Sequence, residues 1–257
     1  MTTFIADTFH LLVRDVRATI RIPIWVIITL VQPIIWLVLY GQLFKRVVEI
    51  PGFAATSYVE FLTPGVVIMS ALFGSAWAGM GIIQDLDAGV MDRMLATAVH
   101  RGALVAAHVL HSALTVIVQT VIILGIGLLL GARFPGGVPA VIAILLISAL
   151  LGAGFSALSN GIALMTRREE TLIAITNFFG LPLTFLSSAF MATALMPGWI
   201  SSVARANPVN WAVEGSRNAM LGQNWSSVAL QTGLLLVFVL ICGIFATRAF
   251  RVYQRAS

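Results

Sequence analysis

Charged residues are scarce in this sequence. Only 10% of its 257 residues are Asp, Glu, Lys or Arg, and 59% are hydrophobic. A soluble domain has about 25% charged and about 45–50% apolar residues, so this chain has too few charges to cover a surface that faces water. The composition excludes a soluble globular enzyme and indicates an integral membrane protein.

Cysteine and lysine are scarcer still. Cys242 is the only cysteine, which excludes an intramolecular disulfide and any CxxC metal or redox site. The phosphate-binding loop GxxxxGK[ST] needs a lysine followed by Ser or Thr, whereas the single lysine, Lys45, is followed by Arg46. HExxH and GxSxG do not occur. We expect no catalytic, cofactor-binding or metal-binding residues in this chain, and the small net charge of +5 argues against nucleic acid as a partner.

Long uncharged runs make up most of the chain. A membrane-spanning helix needs about 20 apolar residues, and each run is long enough for one such helix but not for two. The runs are Ile22–Phe44, Phe61–Gln84, Gly102–Ala132, Phe134–Thr166, Thr171–Ala204 and Asn218–Thr247. Their apolar character is continuous, which excludes the alternating segments of a transmembrane β-barrel. The sequence predicts an all-α membrane protein, one domain over 1–257, with six transmembrane helices at about 22–44, 61–84, 106–131, 138–165, 171–194 and 228–248.

Basic residues are unevenly divided between the two sides of the membrane. Six spans place both termini on one side, where ten arginines fall: Arg14, Arg17, Arg21, Arg93, Arg101, Arg167, Arg168, Arg248, Arg251 and Arg255. The other side has five basic residues: Lys45, Arg46, Arg133, Arg205 and Arg217. Because cytoplasmic loops carry the excess of Lys and Arg, we expect both termini to be cytoplasmic.

Two cytoplasmic segments have amphipathic patterns. Residues 1–21 repeat apolar side chains at helical spacing and place charges on the opposite side, which predicts a helix in the membrane interface. This helix is either a simple anchor or a lever that moves with a cytoplasmic partner. Residues 85–97 predict a second short helix, either a docking site for a cytoplasmic protein or a solvated connection. The tight loop Arg167-Arg168-Glu169-Glu170 is either a solvated turn or a second contact for the same partner.

The stretch 196–225, before the last span, is interrupted by prolines and carries three tryptophans. Tryptophan is enriched where membrane and water meet, so we expect short interfacial or re-entrant helices on the outer face. Glu214 and Arg217 lie three residues apart and are predicted to pair with each other. The pair is either structural or a substrate contact.

The predicted spans have no Asp, Glu, Lys or Arg near their centres. Ion-coupled transporters need such groups as relays or ligands, so any transport by this chain is driven from outside the membrane. Gln32, Gln119, Asn160 and Asn177 are polar at membrane depth and either join helices by hydrogen bonds or line a path. Aromatic residues either pack against lipid or form an apolar substrate surface. The candidate substrate path comprises Gln32, Phe73, Trp77, Asn177, Phe178 and Phe185.

Two local signatures, set within this six-span arrangement, resemble the permease subunit of type-2 ABC exporters, and within that family the daunorubicin-resistance drug-efflux type. The resemblance covers nearly the whole chain. One signature is Glu60–Gly65 followed by Asp85–Thr97, and the other is Pro197–Trp199 with Asn207–Trp211 and Glu214 to Arg217. Ala98 departs from the family, which often has proline at that place.

The resemblance implies a function and partners. In the family an acidic residue, a glycine and a leucine-rich helix form the coupling helix that contacts the ATPase subunit. Here these positions are Asp85, Asp87, Gly89, Asp92, Arg93 and Leu95. Two permeases, identical or related, would sit in a bacterial plasma membrane above two cytoplasmic ATPase subunits that hold ATP and Mg.

The cargo implied is a drug, an antibiotic or a lipid-like molecule, and the chain itself would not be an enzyme. Export of a lipid-linked glycan or a lipid is the alternative within the family. An autonomous secondary transporter and a membrane scaffold without transport are the alternatives outside it.

Overall fold

The computed structural model describes residues 2–21, 23–49, 57–90 and 101–256. These residues form α-helices with short connections and no strand, so the prediction of an all-α membrane protein is confirmed. The helices are α1 (Thr2–Arg21), α2 (Pro23–Leu43), α3 (Tyr58–Ala76), α4 (Gly79–Asp87), α5 (Arg101–Leu129), α6 (Gly137–Thr166), α7 (Glu169–Phe185), α8 (Gly198–Ala204), α9 (Pro208–Met220) and α10 (Trp225–Ala256). Short 3₁₀ turns occupy Lys45–Glu49 and Thr193–Leu195.

Several helices are long and apolar enough to cross a membrane. Four such segments lie in the described residues: Tyr58–Asp87, Gly102–Leu129, Gly137–Thr166 and Trp225–Tyr253. A shorter apolar helix covers Ile28–Leu43 within α2. These segments support a multi-pass membrane protein, while the number of six spans stays a prediction. The fifth predicted span is the shortest in the structure, because α7 has 17 residues.

The end of α7 differs from the sequence expectation, which extended this span to residue 194. The helix ends at Phe185, three residues after Pro182. The side-chain amide of Asn207 donates to the carbonyls of Leu183 at 2.7 Å and Leu186 at 3.0 Å. These bonds satisfy carbonyls of the last turn, which have no partner within a helix that ends there. A remote asparagine therefore caps α7 and lets the chain leave the helix early.

Helix α6 is the centre of the bundle. Ile144, Ile147 and Leu151 are completely buried, and α6 packs against α3, α5, α9 and α10. The small residues of this helix allow close approach. A Cβ atom at Gly154 would lie 2.5 Å from the Phe238 ring of α10, and glycine there removes the clash. Gly152 and Gly161 of α6 also allow close packing, since a Cβ atom there would lie 2.9 Å from Val116 of α5 and 2.5 Å from the Phe245 ring of α10.

The two ends of the bundle have different compositions. At one end, α1, α4, the beginnings of α5 and α7, and the ends of α6 and α10 share a hydrophobic cluster that includes Leu11, Ile83, Leu104, Leu172 and Phe250. We call this the inner end, after the prediction that both termini are cytoplasmic. At the outer end the α5–α6 connection contacts α9. Both α1 and α10 reach the inner end, as expected for a chain that crosses the membrane an even number of times.

The close approach of Gly65 to the segment after α7 gives a first prediction. A Cβ atom at Gly65 of α3 would overlap the backbone carbonyl of Ala189, which cannot rotate away as a side chain would. We expect Gly65→Ala to lower the free energy of unfolding by about 1–3 kcal/mol, the usual range for overpacking. Thermal unfolding of the purified protein in detergent measures the change. Gly125→Ala is the matched control, since nothing lies within 4 Å of its added Cβ. Equal midpoints for both variants would contradict the prediction.

Candidate functional site: an inner junction and a cavity between helices

A cluster of charged and polar side chains joins three helices at the inner end. The Arg14 guanidinium of α1 lies 3.1 Å from the Asp85 carboxylate of α4 and 2.9 Å from Asp15. The His108 ring of α5 lies 3.7 Å from Asp85 and 3.9 Å from Asp15. We call these four residues the inner junction. It links the amphipathic helix, the end of α4 and the beginning of α5.

The inner junction is largely shielded from solvent. The side chains of Asp15 and His108 are 12% and 11% exposed, while that of Arg14 is 37% exposed. Burial alone would lower the pKa of Arg14, but the neighbouring carboxylates of Asp15 and Asp85 outweigh it and raise the pKa. The guanidinium therefore stays charged, and its contact with the Asp85 carboxylate holds α1 against α4. Thr19 extends the contact, since its hydroxyl lies 2.8 Å from Nε2 of His111.

The structure changes the account of the predicted coupling helix 85–97. Asp85 and Asp87 form the last turn of α4, so they end the helix that follows α3 and do not begin a separate one. The chain then turns at Gly89, whose φ of +63° suits glycine. Asp87 is exposed, whereas Asp85 faces Arg14. Asp92, Arg93 and Leu95 lie outside the described residues.

The loop of the second predicted contact is a sharp turn between α6 and α7. Arg167 ends α6 with a φ of +53°, and Glu169 and Glu170 form the first turn of α7, where the helix dipole favours acidic side chains. The Arg167 guanidinium lies 4.5 Å from the ring centre of Tyr253 in α10. Arg168 and Glu170 are exposed. The loop is thus fixed at the inner end and presents charges outward.

A cavity of about 130 Å³ lies between α2, α3 and α5. Its walls include Gln32, Trp36, Ser70, Phe73, Trp77 and Gln119. Three residues of the candidate substrate path, Gln32, Phe73 and Trp77, therefore meet here. Sequence analysis left Trp36 and Ser70 out of the path. The spacing from Gln32 to Trp36, and from Ser70 to Phe73 and Trp77, is that of one helical face and would have pointed to them.

The other three path residues do not line the cavity. Asn177, Phe178 and Phe185 lie on the exposed side of α7, with Phe178 72% and Phe185 60% exposed. Gly180 of the same helix faces Phe73, since a Cβ atom there would lie 3.1 Å from that ring. The single path predicted from the sequence is thus two separate surfaces in the structure.

Aromatic side chains attach α2 to its neighbours beyond the cavity. Trp36 stacks on Tyr40 with ring centres 4.6 Å apart, and Tyr40 lies 5.4 Å from Phe44. Trp36 and Tyr40 also contact Phe190, which follows α7. Trp36, Tyr40 and Phe44 form what we call the aromatic row. It fixes the Trp36 ring at the cavity wall.

At the outer end, Glu214 and Arg217 of α9 do not form the predicted ion pair, and none joins them within 4 Å in the described part of the chain. Glu214 accepts a hydrogen bond from the Thr193 hydroxyl at 2.7 Å. Arg217 donates to the carbonyls of Ser188 at 2.8 Å and Phe61 at 3.3 Å, and its guanidinium lies 3.8 Å from the centre of the Phe61 ring. Each charge instead joins α9 to a different segment.

No group of three or more His, Cys, Asp or Glu residues is placed to hold a metal ion in the described ranges. The features that remain are an ionic joint between helices at the inner end and a cavity without charged side chains. This arrangement suits movement of helices and binding of an apolar molecule.

Comparison with known proteins finds sequence relatives that match nearly the whole chain. A family model described as ABC-2 type transporter matches residues 6–221. The chain is 26% identical to the daunorubicin resistance ABC transporter permease protein DrrB1 of Streptomyces coeruleorubidus, over 99% of this chain and 88% of the relative. It is also 26% identical to the probable doxorubicin resistance ABC transporter permease protein DrrC of Mycobacterium tuberculosis, over 99% and 90%. For the inner membrane transport permease YadH of Escherichia coli the identity is again 26%, over 85% and 87%.

Proposed function

Because this chain belongs to the ABC-2 type transporter family, whose model matches residues 6–221, we propose that it is the membrane subunit of an ATP-driven exporter. Its cargo is a hydrophobic or amphipathic molecule, such as a drug, an antibiotic or a lipid-like compound, which leaves across the plasma membrane. The observation that carries the proposal is similarity over 99% of the chain to two permeases named for daunorubicin and doxorubicin resistance.

The inner junction supports the coupling step of this proposal. Asp85, the first residue of the segment that resembles the coupling helix, lies in the last turn of α4 and is held by Arg14 of α1 and His108 of α5. A force applied to residues beyond Asp87 therefore reaches three helices through one carboxylate. The interfacial helix α1 acts here as a lever, and the anchor alternative leaves its ion pair with Asp85 without a role.

The partners follow from the same proposal. Two cytoplasmic ATPase subunits, which hold ATP and Mg, dock at the predicted coupling segment and at the loop from Arg167 to Glu170. A second copy of this chain, or a related permease, completes the membrane part. The relatives are permeases, which are membrane subunits and not enzymes, and ATP hydrolysis belongs to the ATPase partner.

Reconstitution tests the proposal. The chain and its cognate P-loop ATPase are purified together and placed in proteoliposomes, and doxorubicin movement is followed with ATP and with a non-hydrolysable analogue. We expect movement with ATP only, and none when the ATPase carries a hydrolysis-deficient substitution. Movement that continues without ATP or without the ATPase would overturn the proposal.

The turn at Gly89 gives a prediction for the same assay. Gly89→Ala adds strain of about 1 kcal/mol at a positive φ, although nothing lies within 4 Å of the new Cβ. We expect ATP-dependent movement to fall several-fold while the amount of folded protein changes little. Gly131→Ala is the matched control, because Gly131 also has a positive φ and open space but follows α5 at the outer end. Equal transport by the two variants would contradict a role of the Gly89 turn in coupling.

A further inference from the structure

The cavity between α2, α3 and α5 has one polar end. Gln119 of α5 is 3% exposed, and its amide donates to the Thr29 hydroxyl at 3.2 Å. Its carbonyl oxygen lies 3.5 Å from the Ser70 hydroxyl, at the limit of a hydrogen bond. A carboxamide offers two donors and two acceptor positions, so these two contacts leave capacity for a further partner.

Space for that partner lies beside the amide. The position next to it on α3 is Gly74, where a Cβ atom would lie 3.1 Å from the Gln119 carbonyl oxygen. Gly74 and Gln32 are exposed on the surface of the bundle, so the cavity opens on that side, and the buried Gln119 forms its inner wall. A larger residue than glycine at position 74 would occupy the space in front of the amide.

The rest of the wall is aromatic and uncharged. Trp36, Phe73 and Trp77 line the cavity with Met69 and Val66, and no charged side chain is among its lining residues. Trp36 is fixed by its stacking on Tyr40. Aromatic faces favour flat rings, and an unpaired charge in such a site would lose its hydration without compensation.

The volume of the cavity limits which molecules bind in it. A cavity of about 150 Å³ holds one benzene ring, and this cavity measures about 130 Å³. A larger amphipathic molecule therefore enters with one ring and leaves its remainder at the mouth near Gln32.

We propose that this cavity binds one uncharged aromatic ring of an amphipathic molecule, with a hydroxyl or amide group of the ligand bonded to Gln119 at the buried end. Trp36, Phe73 and Trp77 surround the ring, and the apolar remainder extends into the surrounding membrane. The binding site does not depend on the proposed function. Only the statement that the bound molecule is the exported cargo rests on it.

Direct binding tests the cavity without the ATPase. The chain is purified in lipid nanodiscs, and tritiated 4-propylphenol is titrated by scintillation proximity, with empty nanodiscs subtracted. We expect saturable binding of one molecule per chain. Gly74→Leu should weaken binding at least about tenfold, since burial of one ring contributes a factor of this size or more. Gly233→Leu is the matched control and should bind as the natural chain does, because nothing lies within 4 Å of its added Cβ.

A second comparison separates hydrogen bonding from simple filling of space. 4-Propylanisole lacks the hydroxyl hydrogen, and we expect the natural chain to bind it about fivefold more weakly, the contribution of one hydrogen bond. In Gln119→Leu the two ligands should bind equally. This comparison tests the hydrogen bond between the ligand and Gln119 even if Gly74→Leu does not fold.

Three results would overturn the inference: no saturable binding above empty nanodiscs, equal binding by Gly74→Leu and Gly233→Leu, or an unchanged preference for the phenol in Gln119→Leu. The two proposals fail separately. Binding without ATP-driven movement in proteoliposomes rejects the exporter and keeps the site. ATP-driven movement without binding rejects the site and keeps the exporter.

Discussion

Replacing Arg217 by Met is expected to lower the free energy of unfolding by about 2–4 kcal/mol, because two carbonyls lose a charged donor. The guanidinium of Arg217 connects α9 to the first turn of α3 through Phe61 and to the segment after α7 through Ser188. Methionine fills much of the same space but donates no hydrogen bond. The three segments would lose the one side chain that bonds to both carbonyls, while the bonds of Glu214 and Asn210 with the residues after α7 remain.

Thermal unfolding in detergent, followed by intrinsic fluorescence, measures this effect. For a chain of this length a loss of that size shifts the midpoint by about 4–16 °C. Arg205→Met is the control, because Arg205 is an exposed arginine in the same outer segment. Arg217→Lys should recover only part of the loss, since a lysine ammonium does not reproduce the flat fork that reaches two carbonyls and a ring. A midpoint for Arg217→Met equal to that of Arg205→Met would show that the contacts of Arg217 contribute nothing to stability.

Asp85→Asn is expected to decrease ATP-dependent export by about 5- to 150-fold, the range that corresponds to coupling free energies of 1–3 kcal/mol. The Asp85 carboxylate is the contact shared by Arg14 and His108, so its neutralisation frees α4 from α1. Arg14 keeps Asp15 as a partner. The lost pair adds little to folding, because its side chains are partly exposed, Arg14 by 37% and Asp85 by 22%. The loss should therefore appear in transport, with normal expression and normal capture of the ATPase.

Two comparisons test whether the inner junction acts as a unit. Arg14→Gln should cause the same loss as Asp85→Asn, and the double variant should be no worse than either single one, because both changes remove one interaction. Arg17→Gln removes a charge from an exposed position of the same helix and should leave export unchanged. Additive losses in the double variant, or an equal loss in Arg17→Gln, would contradict a specific role of the Arg14–Asp85 contact.

The sequence was sufficient for the class of fold. The scarcity of charge and the long apolar runs predict membrane-spanning helices, because both depend only on local composition. The pairing of Arg14 with Asp85 was not predictable, since the two residues are 71 positions apart and α1 shows only which face is polar. The early end of α7 has the same origin, because the asparagine that caps it lies in the segment before α9.

The six residues of the candidate substrate path could not all be placed from the sequence. Gln32, Phe73 and Trp77 line one cavity, whereas Phe178 and Phe185 do not, and a role of any of them in transport stays a prediction. On α7 almost every side is apolar, so the pattern does not say which side faces the bundle. The structure decides it: Leu172, Thr176, Gly180 and Thr184 form the buried face of α7, and Phe178 points away from the bundle.

The aromatic row holds only one half of α2 against its neighbours. Contacts of Trp36, Tyr40 and Phe44 hold its outer half, while Pro33, which removes a helical hydrogen bond, borders the cavity. A helix held in this way tilts about its packed half, and it bends most readily at Pro33. Helices adapt to a thinner bilayer by tilting, and a tilt of α2 would change the width of the cavity. Lipid composition would then regulate which molecules this chain accepts, without any change in its sequence.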